Sequence, residues 1–270
     1  MDINIAVFAS GSGTNAEQLI KDFQEVDGMN VCKVYCNKAD AYVLERAKKF
    51  DVPSLVFNRS EFTSDEFLAQ LETVDFIILA GFLWKIPEYL IQEYPDKIIN
   101  IHPALLPSYG GKGMYGSHVH ESVIANKEKQ SGITIHLVNE NYDEGRTLFQ
   151  ASCDISTEDT PDSLAQKIHQ LEHKYFPQIA EDYIREYMSK KYDICSFAAY
   201  FQAHEQSTDQ ISVNFSFLQG WTGPNRGAIE RIGSENLFNW WYTKLHRRDE
   251  CPSNSSRRCY RLSFYFRRSS

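Results

Sequence analysis

The run Ile98-Ile99-Asn100-Ile101-His102-Pro103 ends an apolar stretch on an amide and an imidazole, one residue apart. The chain then breaks into Ala104-Leu105-Leu106-Pro107-Ser108. In a strand, side chains two positions apart share a face, so Asn100 and His102 lie side by side at a strand end. An amide N–H can hold a carbonyl oxygen, and an imidazole can move a proton near neutral pH. That combination suits acyl or formyl transfer. A histidine at a strand end is more commonly a hydrogen-bonded structural residue, and Asn-x-His alone is a weak signal. The surrounding elements have to decide between the two.

Those elements alternate. Ile3 to Ala9 reads as a buried strand that enters Ser10-Gly11-Ser12-Gly13-Thr14-Asn15 and then a helical pattern through Leu19, Ile20 and Phe23. A Gly-rich turn between strand and helix lets backbone N–H groups approach an anion at a helix N-terminus. The turn is neither a Walker A loop nor a GxGxxG fingerprint, which disfavours a dinucleotide. It fits a terminal phosphate, and it equally fits glycines that only tighten the turn. A strand at 31–36, a helix at 41–50, a short strand at 54–57 and a helix at 65–72 follow. Phe76-Ile77-Ile78-Leu79-Ala80 is apolar throughout, as in a parallel strand covered on both faces. It leads to Gly81-Phe82-Leu83-Trp84, a short helix near 87–94 and the Ile98–His102 strand. This order points to a doubly wound α/β sheet, in which ligands collect at the carboxyl ends of strands. Residues 11–15, 81–86 and 100–102 all fall at such ends.

Beyond the site lies PSYGGKGMYGS at 107–117, read as a mobile loop, followed by a helix that begins near His118 and His120. Two histidines at i and i+2 do not share a helix face, and no third ligand accompanies them, so no metal is expected. Residues 132–138 alternate Ile133, Ile135 and Leu137 with Thr134 and His136, the pattern of a half-buried strand. A polar turn at 139–145 and a strand at 147–151 come next. Thr160-Pro161-Asp162-Ser163 opens a long helix with proline in its first turn, carrying Leu164, Ile168, Leu171 and Tyr175. By default, Glu172 on such a helix faces solvent.

Composition bounds the rest. Hydrophobic residues make up 42% of the 270, enough for a core, and no apolar run approaches the roughly 20 residues of a membrane span. The chain enters a strand pattern directly after Met1, so no leader and a cytoplasmic location are expected. Cys32 and Cys36 stand in a strand-like run without a partner cluster, which favours reduced thiols over zinc. The net charge of −8 is divided unevenly, with 12 Lys and Arg against 7 Asp and Glu from residue 189 onward. The first 188 residues are acidic, and no nucleic-acid partner is expected for them.

Residues 1–188 resemble the phosphoribosylglycinamide formyltransferases, the folate-dependent transformylases of purine synthesis. The resemblance rests on Ser-Gly-Ser-Gly-Thr-Asn at 10–15, Asn-Lys-Ala-Asp-Ala at 37–41 and Leu-Glu-Arg-Ala at 44–47. It continues in Leu-Ala-Gly-Phe at 79–82, Asn-Ile-His-Pro-Ala-Leu-Leu-Pro at 100–107 and Glu-His-Lys-Tyr-Phe-Pro at 172–177. It implies the formyltransferase fold, with Asn100, His102 and Asp143 as the catalytic trio. It also implies that Gly13, Thr14 and Asn15 hold the substrate phosphate and that Glu172 binds the glycinamide nucleotide, against the solvent-facing default. Leu83, Trp84, Lys85 and Ile86, with Asn139, Glu140, Asn141 and Tyr142, then enclose the pterin of 10-formyltetrahydrofolate. The implied partners are small molecules, glycinamide ribonucleotide and the formyl folate, with no metal, membrane or nucleic acid. An arginine that some members carry near the folate tail is expected to be replaced within 62–66, and Trp84-Lys85 is an atypical pair.

On this reading a primary amine attacks the formyl carbon, and Asn100 and a cationic His102 stabilise the oxyanion. Asp143 is expected to raise the imidazole pKa and keep it charged at neutral pH. Transfer is direct, through a tetrahedral intermediate. Residues 189–270 form a separate, atypical extension of unknown role that is expected to be poorly structured. Three readings compete for it: a nucleic-acid-binding extension, a small partner-binding domain, or a segment without selected structure, the last being favoured. Methionyl-tRNA formyltransferase, a formyltetrahydrofolate deformylase and a non-enzymatic folate-binding protein are the alternative functions.

Overall fold

A computed structural model describes residues 2–204 of the chain. Its seven strands are β1 (Ile3–Ala9), β2 (Met29–Cys36), β3 (Ser54–Val56), β4 (Phe76–Leu79), β5 (Ile98–His102), β6 (Gln130–Leu137) and β7 (Thr147–Asp154). They form one sheet in the order β3-β2-β1-β4-β5-β6-β7. The first five run parallel, and β6 and β7 are antiparallel additions at one side. The strand order reverses at β1, which is where a doubly wound sheet opens a crevice at its carboxyl edge.

The helices are α1 (Thr14–Gln24), α2 (Val43–Lys49), α3 (Arg59–Thr63), α4 (Glu88–Glu93), α5 (Ser117–Ala125) and α6 (Pro161–His204). Where one helix was expected at 65–72, the chain makes α3 and then a 3₁₀ segment, Asp65–Leu71. Asn58 and Glu61 cap α3 reciprocally, each side chain bonded to the other's backbone N–H, which fixes the start of so short a helix. At α6, Thr160 and Ser163 bond each other's backbone N–H groups, with Pro161 in the first turn, where no intrahelical donor is needed. The boundary expected at 188/189 falls within α6, and the extension's residues 205–270 lie outside the described residues.

Alternation along β1 divides the core. Ile5, Val7 and Ala9 pack with Ala16, Leu19, Ile20 and Phe23 of α1 and with Leu164, Ile168 and Phe176 of α6. Ala6 and Phe8 face the other layer, where Phe57, Phe62, Phe67 and Phe82 surround the Phe8–Tyr35 stack at 4.8 Å. Strand β6 is not half-buried as its pattern implied. Thr134 and His136 are as buried as Ile133 and Ile135, because the polar face of the strand is turned into the protein. Among the described residues, no helix is long and apolar enough to cross a membrane.

Close backbone approach makes two glycines obligatory near the site. At Gly13, φ is +75°, and a Cβ would sit 2.4 Å from the Val43 side chain. At Gly145, a Cβ would lie 1.7 Å from the Leu137 carbonyl oxygen, which belongs to the sheet and cannot move aside. Gly145→Ala is therefore expected to destabilise the fold by about 1–3 kcal/mol or more. Gly11→Ala, where a Cβ meets open space, should stay within about 0.5 kcal/mol. Urea denaturation midpoints of the two variants provide the comparison.

Candidate active site

The carboxyl ends of β1, β4 and β5 lie side by side. The Ser10 N–H donates to the Gly81 carbonyl at 3.1 Å, and Leu79 pairs with Asn100 in the β4–β5 register. The next strand completes the centre. In the antiparallel β5–β6 register, Asn100 stands opposite His136 and His102 opposite Thr134, so four polar side chains share one face.

The Asn100 amide donates to His136 Nε2 at 3.0 Å, and His136 Nδ1 donates to the Leu137 carbonyl at 2.8 Å. With Nδ1 carrying the proton, Nε2 is the acceptor, and Asn100 keeps its second amide hydrogen for another partner. His102 donates from Nε2 to the Tyr109 carbonyl at 2.7 Å, and its Nδ1 lies 3.7 Å from Asp143 Oδ2. Asp143 Oδ1 is 3.6 Å from His136 Nε2, and its Oδ2 accepts the Gly111 N–H at 2.9 Å. Asp143 adopts φ 56°, in the left-handed region, within the 139–145 turn. Thr134 donates to the Ala104 carbonyl and accepts from the Leu106 N–H and the Gln150 amide, pinning the loop that leaves His102.

The structure thus brings Asn100, His102 and Asp143 together and adds His136, which links the amide to the carboxylate. The expected charge on His102 is overturned. Burial holds its pKa below the ordinary 6.5 and outweighs the raising effects of Asp143 and the Tyr109 carbonyl. Burial also works against an ionised Asp143, but the Gly111 N–H and the neighbouring His136 and His102 prevail and keep its pKa below the usual carboxylate value.

A second group lies along α1 and α6. The Asn15 amide donates to Glu172 Oε2 at 2.9 Å, and Glu172 is buried, so its solvent-facing default fails. Burial raises the Glu172 pKa, against the Asn15 hydrogen bond and the charge of His169. Asn15 Oδ1, His120 Nδ1 and His173 Nε2 are buried polar atoms without a protein partner among the described residues. His120 is itself buried, and that burial lowers its pKa.

The segments expected to enclose the pterin also meet. The Lys85 ammonium lies 5.8 Å from the centre of the Tyr142 ring, and the Leu83 N–H donates to Ser10 Oγ at 3.0 Å. Leu83 and Tyr142 are exposed, whereas Ile86 is buried. The Asn139 side chain accepts the Asn141 N–H, folding the 139–141 turn on itself, and Glu140 is exposed there. Trp84 packs against Phe57, Phe62 and Phe82, and the Arg59 guanidinium stacks on its indole at 5.0 Å. A cation therefore stands beside this segment, upstream of the 62–66 stretch in which it was expected to be missing.

The buried histidines make stability depend on pH. Burial lowers the pKa of His102, His120 and His173 below 6.5, so the unfolded chain binds more protons in mildly acidic solution. Their stabilising contribution is complete above the unfolded value and is lost as pH falls through the folded values. Asp143 acts in the same direction nearer its ordinary 3.8, and the raised Glu172 opposes the histidines above 4.5. The thermal midpoint is expected to fall between about pH 7 and about pH 5.5, with a shallower slope in His120→Gln, as differential scanning fluorimetry would read.

Comparison with known proteins agrees with this geometry. Residues 3–180 match the formyl transferase family. The phosphoribosylglycinamide formyltransferase of Bacillus subtilis (strain 168) is 36% identical over 182 residues, covering 64% of this chain and 91% of that protein. The chloroplastic phosphoribosylglycinamide formyltransferase of Arabidopsis thaliana is 40% identical over 185 residues, covering 65% of this chain. The chain spans only 63% of the length of that plant relative. Among solved structures, the phosphoribosylglycinamide formyltransferase from Bacillus halodurans superposes with a TM-score of 0.61 at 34% identity, over 66% of this chain and 94% of that one. The match begins in β1 and ends within α6, so it contains every side chain of the site, and the chain belongs to the formyl transferase family.

Proposed function

We propose that the chain transfers a formyl group from 10-formyltetrahydrofolate to the amino group of glycinamide ribonucleotide. The observation that carries this reading is the joining of Asn100, His136, Asp143 and His102 beside a glycine turn whose Asn15 is bonded to Glu172. The first group suits the migrating carbon, and the second suits a phosphorylated amine.

In this mechanism the substrate amine attacks the formyl carbon. As the C–N bond forms, negative charge moves to the formyl oxygen, and the second amide hydrogen of Asn100 donates to it. His102 enters uncharged, its Nε2–H held by the Tyr109 carbonyl, so its Nδ1 accepts the proton released by the amine. The imidazolium that forms is stabilised by Asp143, which its hydrogen-bonding neighbours keep ionised in spite of burial. The proton then passes to N10 of the folate as the C–N10 bond breaks. Charge on His102 is thus a feature of the reaction rather than of the resting protein. Leu83 to Ile86 and Asn139 to Tyr142 flank the donor, and Arg59 offers an anionic tail a partner beside Trp84. The reaction partners are small molecules, and the expected cytoplasmic location belongs to this same reading.

Incubating the protein with 10-formyltetrahydrofolate and either glycinamide ribonucleotide, charged initiator tRNA or water separates the possible acceptors. Transfer to glycinamide ribonucleotide is expected, and preferential transfer to either alternative would replace this reading. His102→Ala should lower kcat by roughly 10²–10⁴-fold. Asn100→Ala should lower it by about 10²–10³-fold, with both variants retaining the thermal midpoint of the parent within a few degrees.

A further inference from the structure

The Leu44-Glu45-Arg46-Ala47 motif of α2 has no place in the chemistry above, yet Arg46 reaches the glycine turn. Its Nε donates to the Ser12 carbonyl at 2.8 Å, and its Nη1 pairs with Glu17 on α1, which is itself held by Lys21 at 2.7 Å. The Arg46 guanidinium also stacks on Tyr42, 5.0 Å from the ring centre. Two further contacts join α2 to the turn. The Val43 N–H donates to the Gly11 carbonyl at 3.1 Å, and the Val43 side chain occupies the space where a Cβ at Gly13 would stand.

Together these contacts control which way the turn faces. The carbonyls of three consecutive residues are taken by protein donors: Gly11 by Val43 N, Ser12 by Arg46 Nε and Gly13 by Glu17 N. In a planar trans peptide the N–H points opposite to the C=O. The N–H groups of Ser12, Gly13 and Thr14 are thereby turned away from those donors, and none donates to a protein acceptor among the described residues. Unbonded N–H groups at a helix start suit an anion.

We infer that Arg46 is a positioning residue for phosphate binding, acting from behind the turn by fixing the Ser12 carbonyl so that the Gly13 N–H faces the ligand. Its charge is spent on Glu17, and its contribution is the direction of a peptide plane. The inference rests on the reading of the turn as the phosphate site of the nucleotide substrate.

The test compares Arg46→Met and Arg46→Lys with the parent chain. KM for glycinamide ribonucleotide is expected to rise roughly tenfold or more in Arg46→Met, with kcat and KM for 10-formyltetrahydrofolate within twofold. Inorganic phosphate, measured by calorimetry and as a competitor, should weaken by the same factor. Arg46→Lys keeps the charge but not the fixed fork of donors, so its KM should lie between the two. An unchanged KM for the nucleotide, or equal loss on both substrates, would overturn the inference. So would full recovery by Arg46→Lys, which would make charge alone responsible. If Arg46→Met does not fold, Arg46→Lys is judged by the same split between substrates. If the parent chain transfers nothing to the nucleotide yet binds phosphate in an Arg46-dependent way, the proposed reaction fails and this inference stands. Absence of phosphate binding by an active parent chain would overturn the inference alone.

Discussion

The pairing register between β5 and β6 sets the position of the reacting groups. Because it places Asn100 opposite His136 and His102 opposite Thr134, an amide, two imidazoles and a hydroxyl line one face of the sheet. Slippage of β6 by a single residue would turn Thr134 and His136 toward the apolar layer and bring its isoleucines into the site. The register is held from the apolar side by Ile99, Ile101, Ile133 and Ile135, which are buried in the same cluster. The hydrophobic side of two strands therefore guarantees the alignment of their polar side.

Burying that polar face has an electrostatic consequence. The His102 imidazole, removed from water, resists charging, whereas a carboxylate with three polar neighbours stays ionised in spite of its burial. The resting site thus holds one negative charge next to a base, His102, poised to accept a proton. Such preorganisation favours charge that develops during a reaction over charge present before it.

Much of this was legible in the sequence, and the gaps have identifiable physical origins. The Asn100–His102 pair follows from strand periodicity, and the meeting of residues 11–15, 81–86 and 100–102 follows from the parallel α/β order. Asp143 was reached only through family resemblance, because a carboxylate in a polar turn carries no periodic signal. His136 was missed as a member of the site, since an alternating polar face looks the same in sequence whether it meets water or a buried cluster. The charge of His102 was misjudged because proximity to Asp143 can be inferred from motifs, while the depth of burial cannot. Helix α3 is too short for hydrophobic periodicity, although its Asn58-x-x-Glu61 cap was readable. Helix α6 continues to His204, past the position where the family motifs stop.

The hydrogen bond between Asn15 and Glu172 joins side chains 157 positions apart in the chain. One belongs to the first helix and the other to the last described helix, so this corner of the pocket is the closure of the whole topology. No fragment from either half can assemble it alone. A molecule that bridges the two acts as a clasp on the fold, and its affinity carries the work of keeping the chain closed.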